Sequence, residues 1–238
     1  AHLVHILANG TVAAWNPNPN AAVLALAVSG SMVYAGGGFT MVAAFETRTN
    51  IAAIDAATGV ATSWNPSANG SVNALTVSGS TVYAGGAFSI IGGQARSNIA
   101  ALDGTTGTAT AWNPGASGTV YALAVSDSTV YAGGVFRGTG GPARYTIAAL
   151  DATPGAAPVW NPNADSGVYT LAVSGTTVYA GGNFFSIGGQ ARNNIAALDA
   201  TSGAATSWNP NADGADVTPL AGDGNTALIG SYPESSTS

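Results

Sequence analysis

WNPSANGSVNALTVSGSTVYAGGAFSIIGGQARSNIAALDGTTGTATAWNP, residues 64–114, begins and ends on the same tripeptide. That tripeptide occurs as Trp15-Asn16-Pro17, Trp64-Asn65-Pro66, Trp112-Asn113-Pro114, Trp160-Asn161-Pro162 and Trp208-Asn209-Pro210. It takes up every tryptophan of the chain, at spacings of 49, 48, 48 and 48 residues. A fixed period of this length marks a stacked or radial repeat architecture.

Inside the unit, Val72-Asn73-Ala74-Leu75-Thr76-Val77 alternates as a buried strand does, and Ser78-Gly79-Ser80 turns the chain. Thr81-Val82-Tyr83-Ala84-Gly85-Gly86 predicts a second strand, whose paired glycines permit a bulge or a close approach of backbones. A longer loop, Ala87 to Asn98, leads to a third strand at Ile99 to Asp103 and, after a Gly-bounded turn, a fourth at Thr108 to Trp112. The same positions recur as Tyr34, Tyr83, Tyr131 and Tyr179, and as Phe39, Phe88, Phe136 and Phe184. Four-stranded units joined only by turns and loops read as propeller blades; a β-solenoid is the rival, with coils that are usually shorter.

The chain ends supply a split fifth unit. Asp216 to Leu220 and Thr226 to Gly230 match its first and second strands, and Leu3 to Leu7 and Thr11 to Trp15 match its third and fourth. The expected fold is all-β: a five-bladed β-propeller, four antiparallel strands per blade, with the fifth blade closed by two N-terminal and two C-terminal strands. Such closure removes unpaired strand edges. Residues 1–231 are expected to form this single propeller, and the Ser/Thr-rich stretch 232–238 reads as a tail or the start of a linker to another domain.

Composition fits short buried strands: only 7% of the 238 residues are charged, 33 are Gly and 46% are hydrophobic. Five basic against eleven acidic residues, with a net charge of -6, argues against a nucleic-acid surface, which needs a basic stripe. The absence of cysteine excludes disulfides and thiol catalysis, and no apolar run reaches the length of a membrane-spanning helix.

Val178 to Phe184, Ile187 to Asp199 and Trp208 to Pro210 carry a family pattern. Through them the chain resembles, over almost its whole length, the bacterial β-propeller repeats called delta-60 repeats. The first unit departs at Met41 to Glu46, and the fifth at Leu7, Pro219 and Gly222. The resemblance implies a propeller within a large secreted or cell-surface bacterial protein, without an assigned chemistry. Its partners would be other domains of a larger parent protein, neighbouring subunits, or glycans.

The Trp-Asn-Pro loops and the Phe-to-Asn loops are expected to open on one face, where any ligand site should lie. The loop-face ligand candidates are Arg48, Gln94, Arg96, Arg144, Gln190, Arg192, Asp165 and Asp213. Each recurring group has two readings. The tryptophans are sugar platforms or inter-blade packing, with Asn bonded to its own turn. The arginines form an anion-binding ring or serve structure, either paired with Asp55, Asp103, Asp151 and Asp199 or accompanied by Asp-capped turns. Repetition in unit after unit favours structure for all of them.

Catalysis has little support. Of the unrepeated acids Glu46, Asp127, Asp165, Asp213, Asp216, Asp223 and Glu234, four fall on the expected loop face, Glu46, Asp165, Asp213 and Asp216, and read as solvated loop charge rather than as a glycosidase pair. No Ser-His-Asp order or phosphate loop occurs, His2 and His5 lack a third metal ligand, and no cofactor is expected. The chain reads as a non-enzymatic scaffold or recognition module. The alternatives are a multivalent carbohydrate-binding propeller and a structural subunit of an extracellular filament or larger complex.

Overall fold

The computed structural model describes residues 3–43, 46–141, 143–212, 217–222 and 227–231, the last two segments by their backbone alone. Two compact units divide between Asn113 and Pro114, inside a Trp-Asn-Pro corner. Among the described residues every regular element is a strand.

In the first unit the strands are β1 (Val23–Ser29), β2 (Met32–Gly37), β3 (Met41–Val42), β4 (Glu46–Thr47), β5 (Ile51–Asp55), β6 (Val72–Ser78), β7 (Thr81–Gly86), β8 (Ile90–Ile91), β9 (Gln94–Ala95) and β10 (Ile99–Asp103). They make two antiparallel three-stranded sheets, ordered β1-β2-β5 and β6-β7-β10, and two small hairpins, β3-β4 and β8-β9. The second unit repeats this with β11 (Val120–Ser126), β12 (Thr129–Gly134), β13 (Ile147–Asp151), β14 (Val168–Ser174), β15 (Thr177–Gly182), β16 (Ser186–Ile187), β17 (Gln190–Ala191) and β18 (Ile195–Asp199), and adds the pair β19 (Val217–Gly222) and β20 (Ala227–Ser231).

The fourth strand expected in each repeat is reduced to a single bridge in the first, second and fourth. Ala61 bridges Ile54, Ala109 bridges Leu102 and Ala205 bridges Leu198. A side chain takes the next carbonyl. Thr110 donates its N–H to Ala101 O, but Thr110 O, which would extend the ladder, accepts Arg96 Nη2 at 2.5 Å instead. Arg48 on Thr62 O and Arg192 on Thr206 O do the same in their repeats. The long loop, in turn, contains a hairpin the sequence reading left out, present even where Met41 to Glu46 departs from the pattern. The N-terminal third and fourth segments contribute one bridge, Ile6 to Val12.

The core lies between neighbouring sheets. Within the first unit Tyr34, Ile51 and Ala53 pack against Trp64, Val72, Val82, Ala84 and Phe88 of the next repeat. Within the second, Tyr131, Ile147 and Ala149 meet Trp160, Val168, Val178 and Phe184. Successive side chains of a strand point to opposite faces, so a sheet covered on both sides needs an uninterrupted apolar run. Ile99-Ala100-Ala101-Leu102 and its sisters are such runs, buried throughout, with alanines keeping the stack thin.

Both predicted uses of the Gly-Gly pair occur. The first glycine faces the next sheet: a Cβ on Gly36 would sit 2.7 Å from Val72 Cγ1, and one on Gly133 2.8 Å from Val168 Cγ1. The second lies against a bulge in its own inner strand, where the register slips between Val72 and Ala74. A Cβ on Gly86 would come within 2.0 Å of Ser71 O.

Strand β1 carries exposed apolar side chains. Leu24, Leu26 and Val28 of β1 are exposed. Leu26 is 49% exposed, whereas its counterparts Leu75 and Leu171 are 8% exposed under the sheet that precedes them in their own unit.

Candidate functional site

The repeated tryptophans, arginines and aspartates are engaged in packing and backbone hydrogen bonds. Trp15, Trp64, Trp112 and Trp160 are 7%, 3%, 5% and 4% exposed. Each indole stands edge-on to an aromatic ring, as Trp64 does to Tyr34 at 5.1 Å and Trp160 to Tyr131 at 5.2 Å. The indole N–H then donates to the Asp carbonyl at the end of the next sheet, Trp15 to Asp55, Trp64 to Asp103 and Trp160 to Asp199. Rings held this way offer no face to a sugar. The asparagine beside each tryptophan is exposed; bonding at this corner comes from the proline carbonyl, with Pro66 O accepting Gly92 N–H and Pro162 O accepting Gly188 N–H.

Arg48, Arg96, Arg144 and Arg192 donate Nη1 to the preceding carbonyl and Nη2 to the carbonyl fourteen residues on. They tie the long loop to the segment leading into the next Trp, and their guanidinium groups face backbone rather than a ligand space. Guanidinium on carbonyl oxygen is charge-assisted hydrogen bonding. Among the described residues Arg48 also pairs with the exposed Glu46, at 3.6 Å.

The recurring aspartates cap turns instead. Asp103 Oδ1 accepts the N–H groups of Thr105 and Thr106 and the Thr106 hydroxyl; Asp55 and Asp199 repeat the arrangement. Donors aimed at the ionised form lower a carboxyl pKa. The Thr58 hydroxyl leads this effect at Asp55, and the backbone N–H groups of Thr106 and Ser202 lead it at Asp103 and Asp199, all three lying below the usual 3.8. A folded-state pKa below the unfolded one stabilises the protein above the unfolded value, and that contribution is lost as pH falls through the folded value. Stability is therefore expected to drop as pH falls below about 3.8, and carboxyl carbon NMR titration should place all three midpoints below those of unfolded peptides. Unshifted midpoints would show that the turns are not formed in solution.

Gln94 and Gln190 lie in separate hairpins with exposed side chains and are not brought together with the other candidates. Asp213, with Asp216, Asp223, Glu234 and His2, lies outside the described residues. His5 stacks edge-on against Trp15.

Asp165 stands where the structure does form a concavity. The two loops of each repeat meet as expected: Asn20 Oδ1 accepts Thr40 and Met41 N–H, Asn69 Oδ1 accepts Ser89 and Ile90 N–H, and Asp165 Oδ1 accepts Phe185 and Ser186 N–H. Beside Asp165 a groove of about 520 Å³ opens within the second unit, between the loop holding Phe136, Arg137, Tyr145 and Thr146 and the loop from Asn163 to Gly167. The third repeat differs from its sisters here. Its long loop has no hairpin among the described residues, and Pro142 takes the place of Gln94 and Gln190, whose backbones pair in the others.

Thr146 marks the same spot. It holds φ +62°, where Asn50, Asn98 and Asn194 occupy the matching left-handed positions. Asparagine tolerates that conformation; a β-branched residue does not. Thr146 Oγ1 reaches Ala164 O at 3.3 Å, replacing the 2.8 Å bond from Asn50 Nδ2 to Ala68 O. Thr146→Asn is expected to stabilise the second unit by about 1 kcal/mol, read as a raised denaturation midpoint; an unchanged or lowered midpoint would count against strain at this position.

Sequence reasoning overlooked Arg137 and Tyr145. The available signal was variation between copies: Thr40, Ser89 and Phe185 align with Arg137, and Thr49, Ser97 and Asn193 with Tyr145.

No protein-family model and no curated protein matches the chain. Solved structures do. The chain is similar to one in the mitotic checkpoint complex (TM-score 0.62, 17% identity, 89% of this chain and 58% of that one) and to the Neurospora crassa Pan2 WD40 domain (0.55, 17%, 89% and 60%). It is also similar to BamB from Moraxella catarrhalis (0.50, 23%, 84% and 56%). These are β-propellers, and the chain spans little more than half the length of each. Together with the antiparallel sheets and the packing between them, the likeness shows a propeller-type, all-β fold.

Proposed function

We propose that the chain is a non-enzymatic recognition or scaffold module of a secreted or cell-surface bacterial protein, a five-bladed propeller of the delta-60 type. The observation that carries this reading is the fate of the repeated polar groups. Tryptophan N–H groups, arginine forks and aspartate carboxylates are taken up in holding sheets and loops together, so what varies from loop to loop is left to distinguish ligands. The split fifth repeat supports five blades, because its strand segments keep the offset of the intact copies.

The test is a glycan array and a panel of purified extracellular proteins, followed by analysis of any bound ligand. Specific binding that leaves the ligand chemically unchanged supports the reading. Turnover of the ligand, or silence on both, overturns it.

A second reading, a subunit of a filament or larger complex, is favoured by the open face of β1, because exposed apolar strand faces mark interaction surfaces. Ring closure by the fifth repeat would cover this face within one molecule; assembly would cover it between molecules. Particle mass in solution separates the two: a monomer in which Leu26 is protected from solvent labelling supports closure, and a defined oligomer supports assembly.

A further inference from the structure

Four of the five arginines are held by backbone carbonyls, and the fifth, Arg137, is the exception. It lies off the arginine register of the repeat, is exposed, and makes no ion pair among the described residues. It lines the groove of the second unit together with Tyr145, Thr146, Asn163 and Asp165. We propose that this groove is a glycan-binding subsite for an acidic sugar, a pyranose carrying a carboxylate. The proposal deepens the recognition-module reading and rests on it.

Three observations meet at this place. Arg137 and Tyr145 stand at loop positions that differ in every copy, Thr146 replaces an asparagine kept in the other three, and the buried Phe136 beside them is kept. Thr146 carries backbone strain at the groove floor, in a position its sister repeats fill without strain. Strain of this kind concentrates at ligand sites, where surrounding structure maintains it. The lining also joins a donor-only group, an aromatic ring and an acceptor-only group.

That chemistry selects the ligand. Guanidinium matches a carboxylate in a planar, two-bond fork. Tyr145, 46% exposed, presents a flat ring suited to the C–H face of a pyranose. Asp165 already accepts two backbone N–H groups on Oδ1, and an ionised carboxylate has further acceptor capacity for sugar hydroxyls on Oδ2. Asn163 adds an amide that donates and accepts. A phosphate dianion would bring doubled charge against Asp165, and a neutral sugar would leave Arg137 without a partner. An acidic sugar is complementary to both charges.

The full chain would be titrated by NMR and calorimetry with trigalacturonate, and with the neutral galactose trimer as control. Arg137→Ser and Tyr145→Ser introduce the residues of the second repeat, so both are expected to fold, which their amide spectra would verify. Arg137→Ser should weaken trigalacturonate binding about tenfold or more and abolish the preference over the neutral trimer; Tyr145→Ser should weaken both trimers by a similar factor. The acidic-sugar assignment is overturned by absence of binding at about 5 mM, by equal binding in both variants, or by Arg137-dependent binding of hexaglutamate in its place. If wild type and variants bind the same spots on the glycan array, the groove fails while the recognition reading stands. An array and protein panel that are silent together with the titration remove both.

Discussion

Trp64→Ala is expected to lower the unfolding free energy by about 3–5 kcal/mol, the range for deleting a large aromatic from a packed core. Trp64 sits between two repeats of the first unit, edge-on to Tyr34 and bonded through its N–H to Asp103 O. Truncation removes three contributions together. It opens a cavity among Tyr34, Ile51, Val72 and Phe88, forfeits an aromatic pair worth about 1 kcal/mol, and leaves the Asp103 carbonyl without the indole donor. Trp64→Phe keeps most of the volume but loses the hydrogen bond, and should fall between wild type and alanine. Denaturant unfolding followed by circular dichroism gives both values. A Trp64→Ala midpoint within error of wild type would place the ring in solvent and restore the sugar-platform reading of the tripeptide.

Gly86→Ala should cost about 3 kcal/mol or more, out of proportion to one added methyl. The methyl would lie 2.0 Å from Ser71 O, and this neighbour is backbone, held by the β6–β7 ladder on one side and by Ala87 N–H on the other. No rotamer change can relieve the contact, so either the bulge or the pairing has to give. Gly38→Ala is the control. A Cβ there meets nothing within 4 Å, and the second repeat has Ala87 at the same place, so the change is expected to be neutral. Equal effects of the two substitutions would mean that loss of glycine entropy, rather than the clash, governs both.

The residues legible in sequence were those whose role is local or periodic. Val-Tyr-Ala-Gly-Gly announced a strand whose paired glycines allow a bulge or a close backbone approach, and Asp before a Gly-bounded turn announced a capped turn; the glycines lie against a bulge of the neighbouring strand, and the turn is capped. The fourth strand was misread because its alternation is sound in isolation. Its carbonyl is taken by an arginine fourteen residues earlier, a competition that local strand propensity does not register. The arginines were legible as structural through repetition, but their partners were not: seven-residue spacing suggested Asp, and the fold supplied backbone oxygen.

The candidate site followed the same division. Asp165 was chosen as an unrepeated loop acid, and it does line the groove. Arg137 and Tyr145 vary as other loop residues do, and variation alone does not show which loops of adjacent repeats meet. The wall they share with Asn163 and Asp165 exists only once the third and fourth repeats of the second unit are packed.

The sequence alone determined the period, the strand-rich blade unit, the places where glycine must stand and the structural character of whatever recurs. These follow from short-range sterics and from burial, which act identically on each copy of a repeat. Only tertiary structure decided which hydrogen-bond donor meets which acceptor, that the fourth strand yields to arginine, and that one groove gathers a cation, an aromatic ring and a carboxylate. Such outcomes depend on contacts between groups distant along the chain, where several acceptors compete for one donor and packing geometry selects among them.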